Sequence, residues 1–280
     1  MTQISVIIPT YNRAIFLKKA MDSVLNQSYQ DFELIIVDDG SVDETKVMMK
    51  EYENRVKYIY QQNKGPASAR NRGIKEAKAD FVAFLDSDDW WAKDKLKVQL
   101  KAMQDSPDYL ISHTQEIWYK NGKVLNQKKK HRKFAGHIFD KCLPICAVGM
   151  STMMVKKELF KKIGLFDEDL PCCEDYDLWL RASVKFPFLL IDKPLTLKQG
   201  GRPEQVSSKY AQGIDKFRIY SIKKLLEEDA LDNQKRQLAV AELKRKCKIY
   251  GEGCIKHNKK EEGKFYLDLM RQYSIVLTIL

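Results

Sequence analysis

The sequence predicts an α/β protein: a mostly parallel central sheet flanked by helices on both faces, followed by a C-terminal helical extension. Three observations predict it. Residues 4–8, 32–37, 56–60 and 81–85 are continuous apolar runs rich in β-branched and aromatic residues, the pattern of strands buried on both sides. Each run is followed by a segment with helical spacing of apolar positions. The polar residues concentrate in the four strand-to-helix loops, which right-handed crossovers bring to one sheet edge, where open α/β sheets bind ligands.

The elements follow in order. After the strand at 4–8, Pro9-Thr10-Tyr11-Asn12 stops the chain, and Asn12 is expected to cap a helix carrying Ile15, Phe16, Ala20, Val24 and Leu25 on one face. The strand at 32–37 ends at Asp38-Asp39-Gly40-Ser41, where Ser41 and Glu44 have capping-box spacing. Gly65-Pro66 opens a helix over about 67–77 after the strand at 56–60. The strand at 81–85 runs into Asp86-Ser87-Asp88-Asp89, and a helix is expected over 93–104. Further on, 109–112 reads as a strand, and 116–119 with 124–127 as a hairpin about Asn121-Gly122. Short helices are expected at 158–163 and 176–182, and one charged amphipathic helical stretch over 214–250. The expected organisation is one α/β domain over 1–212, its two halves meeting near 106, then a basic helical extension over 213–280.

With 280 residues and 44% hydrophobic content the chain can bury a full core. No apolar run approaches the ~20 residues of a membrane-spanning helix, and no signal-peptide pattern opens the sequence. A cytoplasmic location is expected. The net charge of +11 is uneven: residues 1–119 carry 16 basic against 18 acidic side chains, 120–210 carry 18 against 10, and 211–280 carry 15 against 10. A basic second half admits nucleic acid, an anionic membrane face or a polyanionic substrate as partner, although no nucleic-acid module or aromatic-basic interleaving is present. The six cysteines lack metal-ligand spacing, so reduced thiols are expected.

Four constellations can carry chemistry. Three carboxylates in Asp86-Ser87-Asp88-Asp89 repel one another, and a divalent cation offsets that repulsion directly; helix capping is the plainer role, for which one Asp suffices. Asp38 or Asp39 can accept a hydrogen bond from a nucleobase or ribose, while a turn role explains Asp39 and Ser41 more readily than Asp38. Lys64, Arg70 and Arg72 surround a helix start, which suits a phosphate or is simply a basic surface. Glu174-Asp175-Tyr176-Asp177 is a second acidic cluster, able to take a proton from an attacking hydroxyl or merely to begin a helix. Neither GxxxxGK[ST] nor GxGxxG occurs after a strand, which disfavours nucleotide hydrolysis by a Walker loop and dinucleotide binding.

In order, Val6-Ile7-Ile8-Pro9-Thr10-Tyr11-Asn12, Ile35-Ile36-Val37-Asp38-Asp39-Gly40-Ser41, Ala69-Arg70-Asn71-Arg72-Gly73, Phe84-Leu85-Asp86-Ser87-Asp88-Asp89, Phe166-Asp167-Glu168 and Glu174–Arg181 resemble the motifs of glycosyltransferase family 2 over about residues 3–200. The resemblance implies a GT-A fold, a nucleotide-diphosphate-sugar donor (uridine favoured), a divalent cation (Mn²⁺ or Mg²⁺) and inversion at the anomeric carbon. It implies Pro9, Tyr11 and Asp38 in the nucleoside pocket, Arg70 by the nucleotide, Asp86 at the ribose, Asp88 with its neighbour Asp89 at the metal, and Asp175 as general base with Glu174 beside it. Where several relatives carry histidine after Gly200-Gly201, this chain has Arg202, which cannot ligate a metal but can pair with a phosphate. The expected function is an inverting sugar transferase acting on a carbohydrate or lipid-linked acceptor. A non-catalytic nucleotide- or sugar-binding module is the alternative. The basic tail at 214–250 and the apolar end at 273–280 admit peripheral association with an anionic membrane face. The oligomeric state has no signal in the sequence.

Overall fold

The apolar runs become strands whose alternate residues serve opposite faces of one sheet. The computed structural model describes residues 2–120, 122–200, 209–228 and 230–276. In β1 (Ile4–Thr10), Ile7 joins one core while Ile4, Val6 and Ile8 join the other, all without solvent exposure. β2 (Phe32–Asp38) and β4 (Phe81–Phe84) divide the same way, and β3 (Lys57–Tyr60) lies at the edge. Each large aliphatic buried so contributes roughly 1.5–3 kcal/mol, more than the ~1 kcal/mol range of strand propensity, so burial sets the pattern.

The sheet order is β3-β2-β1-β4-β8-β6-β9-β5. The first four strands pair parallel, as expected. Beyond them the sheet is mixed. β8 (Met154–Lys156) runs antiparallel to β4 and to β6 (Ile111–Lys120), β9 (Phe188–Gln199) runs parallel to β6, and the short β5 (Asp89–Trp91) closes antiparallel on β9. β6 continues through both the 109–112 strand and the first arm of the expected hairpin, whose second arm is β7 (Lys123–Leu125). β5 and β9 escape sequence reading: β5 is three residues long, and β9 is interrupted by Pro194 at a register shift.

α1 (Ala14–Leu25) buries Leu17, Ala20, Met21 and Val24, and not Ile15, which is exposed. With α4 (Lys95–Asp105) it covers one face; α3 (Pro66–Glu76) and α7 (Glu174–Lys185) cover the other, with α5 (Phe139–Cys142) and α6 (Leu159–Ile163) beside α7. Two expected caps are replaced. Asn12 lies in the left-handed region at φ 52° and does not cap α1; Asp43 accepts from Ala14 N at 3.0 Å instead. The same Asp43 accepts from the Thr45 amide at the start of α2 (Thr45–Met49), while Ser41 and Glu44 form no capping box. A local pattern reads caps along one segment, and here the cap comes from the neighbouring loop.

The extension is helical, as expected, and consists of α8 (Ile214–Glu227), α9 (Asn233–Lys256), capped by Asp232, and α10 (Lys260–Val276). Ile219, Ile222, Leu225, Leu243 and Cys247 enter the core shared with α5 and α7, and the buried Lys246 Nζ bonds Pro144 O and Asp215, each at 3.0 Å. Among the described residues no helix is long and apolar enough to cross a membrane.

One buried group makes stability depend on pH. His113 on β6 is fully buried, with Nε2 2.8 Å from Phe134 O and no partner for Nδ1 among the described residues; burial, aided by Lys133, lowers its pKa to about 4. Because the unfolded chain takes up the proton first, at the ordinary value near 6.5, the stability from neutral His113 is full above that value and is lost as pH falls toward 4. Wild type is expected to lose about 2 kcal/mol more than His113→Gln between pH 7 and 5 in denaturant titrations. Parallel pH profiles for the two proteins would refute this.

Candidate active site

The four loops converge because each is tied to another. Asn12 N donates to Ser41 Oγ, and Val42 N to Asn12 Oδ1, both at 2.8 Å. Asp39, nearly buried, accepts from Lys64 N at 2.9 Å, Gly65 N at 2.8 Å and Gln61 Nε2 at 2.7 Å. Gly40 sits at φ +87° where a Cβ would lie 2.8 Å from Asn63 N, so only glycine fits this crossing. Asp38 has no exposure: Ser41 N donates to one oxygen at 2.8 Å and Tyr58 OH to the other at 2.6 Å. It therefore holds the turn, with a tyrosine on β3 that sequence reading did not associate with it. Pro9 is buried within β1, whereas Tyr11 is 48% exposed at the mouth of these loops.

The segment 69–73 on α3 has three structural jobs. Gly73 lets the helix lie against β1, since a Cβ there would be 2.4 Å from Ile7 Cγ2. Asn71 docks the distant 166–168 segment, bonding Phe166 O at 2.9 Å and Glu168 at 2.8 Å and accepting from Phe166 N at 3.0 Å. Arg70, 6% exposed, joins the two acidic clusters: Nη2 bonds Asp86 Oδ1 at 2.8 Å and Nη1 bonds Glu174 Oε1. A planar guanidinium suits two carboxylates at once. Burial opposes the charge on Asp86, but Arg70 and Lys198 outweigh it and hold its pKa below the ordinary value; burial raises Glu174 despite Arg70.

The repulsion within the acidic turn is offset by side chains of the chain itself. Asp86 pairs with Arg70, Asp88 with Arg13 at 2.7 Å, and Asp89 with Lys198 at 3.5 Å. Arg13 and Lys198 were missing from the sequence reading. The signal available was the charge imbalance of the turn, which required cations from somewhere. Asp89 opens β5 rather than a helix, is 3% exposed and also accepts from Ser151 Oγ at 2.6 Å. Burial pushes its pKa up to about 7, with Lys198 pulling the other way. Asp88 and Asp86 are more accessible, their side chains 10% and 27% exposed.

Acids adjacent in sequence have different surroundings on α7. Cys173, left-handed at φ 66°, precedes its first turn. Glu174 points to Arg70, and Asp177, buried, pairs with Arg181 and Lys224, each at 2.8 Å. Asp175 is half-buried and makes no ion pair among the described residues; Cys146 Sγ donates to its Oδ2 at 3.2 Å and Tyr176 N to its Oδ1 at 2.7 Å. Cys146 is a further neighbour that sequence reading left out. Arg202 lies outside the described residues.

Among the described residues no three His, Cys, Asp or Glu side chains form a self-sufficient metal cage. Mg²⁺ and Mn²⁺ ask for less when a phosphate is present: one or two carboxylates, with phosphate and water oxygens completing the shell. Asp88, beside Asp86 and paired with Arg13, is the carboxylate that suits that smaller demand; Asp89, 3% exposed between Ser151 and Lys198, is the more enclosed.

Residues 5–164 match the family model described as Glycosyl transferase family 2. An "Uncharacterized glycosyltransferase" of Rickettsia felis is 36% identical over 232 residues, covering 78% of this chain, which spans 37% of that relative's length. The Escherichia coli "UDP-Glc:alpha-D-GlcNAc-diphosphoundecaprenol beta-1,3-glucosyltransferase WfgD" is 32% identical over 182 residues, 63% of this chain and 68% of that protein. Among solved structures, Staphylococcus aureus TarS 1-349 in complex with UDP-GlcNAc superposes with a TM-score of 0.70 at 24% identity, covering 96% of this chain and 79% of that one. Mannosyltransferase PcManGT from Pyrobaculum calidifontis, in complex with GDP-Man and Mn²⁺, gives 0.65 at 16% identity over 99% of this chain and 79% of its own. At these identities the structural likeness establishes the GT-A fold.

Proposed function

The chain belongs to glycosyltransferase family 2, and from that premise we propose that it moves a sugar from a nucleoside-diphosphate-sugar, a UDP-sugar in the first instance, to an acceptor hydroxyl with inversion, in the biosynthesis of a polysaccharide or lipid-linked glycan. The observation that carries this reading is Arg70: by pairing with Asp86 and Glu174 it sets the helix turn bearing Asp175 against the acidic turn. In this reading the acidic turn serves the donor and the turn bearing Asp175 serves the acceptor.

Each residue has a derived task. Tyr11 offers an exposed ring at the nucleoside end, on loops that Pro9 and Asp38 hold in shape. Asp86, kept ionised by Arg70, accepts a ribose hydroxyl. Asp88 would hold the divalent cation, with Asp89 fixing the turn through Ser151. When bound, that cation supplies Lewis-acid stabilisation of the charge on the departing diphosphate. Arg202 and Lys198 add positive charge for the same phosphates. Asp175 takes the proton of the acceptor hydroxyl as its oxygen bonds the anomeric carbon and the bond from that carbon to the diphosphate breaks. Glu174, held by Arg70, positions the turn. The relative WfgD, by its name a glucosyltransferase acting on a diphosphoundecaprenol-linked sugar, supports a lipid-linked acceptor.

A thermal-shift screen of nucleotide sugars with and without Mn²⁺ tests this reading. A matched donor at a hundred times its Kd is expected to add about 2.7 kcal/mol of stability, and Asp88→Ala to remove the Mn²⁺-dependent part. Absence of any stabilising nucleotide sugar would overturn the proposal. Donor binding without hydrolysis or transfer over a broad acceptor panel would favour a non-catalytic binding module.

A further inference from the structure

The longest acid-free basic stretch of the chain lies outside its amphipathic helices. Several cations of α8 and α9 pair with acids of their own helices, Lys223 with Glu227, Lys235 with the Asp232 cap, Arg245 with Glu242 and Lys248 with Glu252, and the main apolar face of those helices is buried against α5 and α7. The β6–β7 hairpin and the segment returning from it differ. Between Glu116 and Asp140 the sequence holds seven Lys or Arg and no acid. Lys133 turns inward to a buried pair with Glu116 at 2.9 Å, which fastens the returning segment beside β6. Lys120, Lys123, Lys128, Lys129 and Arg132 are exposed. In the second arm, just past the turn, Val124 and Leu125 are 63% and 42% exposed, and every residue of β7 is open to solvent. Cations around a small apolar tip match an anionic lipid surface: the charges attract the headgroups and the aliphatics enter the acyl boundary. Nucleic acid would be met by the cations but not by a valine and a leucine.

We propose that the β6–β7 hairpin and the basic segment after it form a docking surface for an anionic phospholipid membrane. The strand that carries it leads to the candidate site. β6 pairs with β9 as far as Tyr119 opposite Gln199, and Lys198, beside Asp89, lies opposite Trp118. From Glu116 to Lys120 the strand rises about 13 Å, so docking of the tip holds the cleft close to the headgroup layer. This deepens the lipid-linked acceptor reading above, but membrane binding is measured without turnover, so either can fail alone.

The test is sedimentation with phosphatidylglycerol-containing and pure phosphatidylcholine vesicles, using the full chain. Wild type is expected to pellet with the anionic vesicles only, and less so at high salt. Removing each surface cation should weaken partition about fivefold, so the triple variant Lys128→Glu, Lys129→Glu, Arg132→Glu should weaken it more than a hundredfold. Val124→Asp should also weaken it without changing net positive charge elsewhere. Far-UV circular dichroism and thermal unfolding midpoints, unchanged in both variants, would show that they fold. Equal pelleting of wild type and the triple variant, or no pelleting of wild type, overturns the proposal. So does retention of an RNA oligonucleotide that the triple variant abolishes and Val124→Asp leaves intact, which would make this a nucleic-acid surface.

Discussion

Asp175→Asn is expected to lower sugar transfer by about 10²–10⁴-fold, the usual contribution of a positioned general base, while leaving the fold and donor binding nearly unchanged. The carboxylate is half-buried, and its neighbours are a thiol and the adjacent amide. Asparagine keeps the oxygen that accepts from Tyr176 N and the volume beside Cys146, but it cannot take a proton. Asp177→Asn is the matched control on the same helix turn. That residue is buried between Arg181 and Lys224, so its loss is expected to lower stability rather than the chemical step. Rates with a UDP-sugar, measured alongside UDP-induced thermal shifts, separate the two. If Asp175→Asn turns over within a few-fold of wild type, Asp175 is not the base.

Arg70→Met is the second large effect, and it falls on stability and activity together. It strands two carboxylates, Asp86 and Glu174, that are held against the same buried guanidinium. Removing one partner of a buried ion pair costs about 3–5 kcal/mol, mostly from the uncompensated charge left behind. Adding Glu174→Gln to Arg70→Met should therefore recover part of the loss, a coupling readable in a double-mutant cycle. Arg70→Lys keeps the charge but not the fork, so it should retain one pairing and an intermediate stability. Additive effects of Arg70→Met and Glu174→Gln in denaturant titrations would contradict the bridge.

Much of the first half of the chain was legible because its signals are local and two-sided. A run such as Ile4, Val6, Ile7 and Ile8 has no polar face to offer, so it reads as a strand covered on both sides, and the loops between such strands must gather at one edge. The helix caps were misread for the complementary reason. Asn12 has the residue type of a cap, but the amide that needed one, on Ala14, found Asp43 across a loop crossing. β9 was missed because Pro194 breaks its alternation at a register shift. Apolar spacing alone marks the tail as helical but does not show where α8 ends at Glu227 or α9 at Lys256.

The sequence by itself determined the four parallel strands β1 to β4, which loops carry acids, and that two acidic groups exist. Only the tertiary structure decided what each acid does. Glu174, Asp175 and Asp177 differ little as residue types, yet one faces Arg70, one a thiol at a half-open edge, and one Arg181 with Lys224. A carboxylate's chemistry follows from its burial and from charges within a few ångströms, and the cations that supply those charges come from residues distant along the chain.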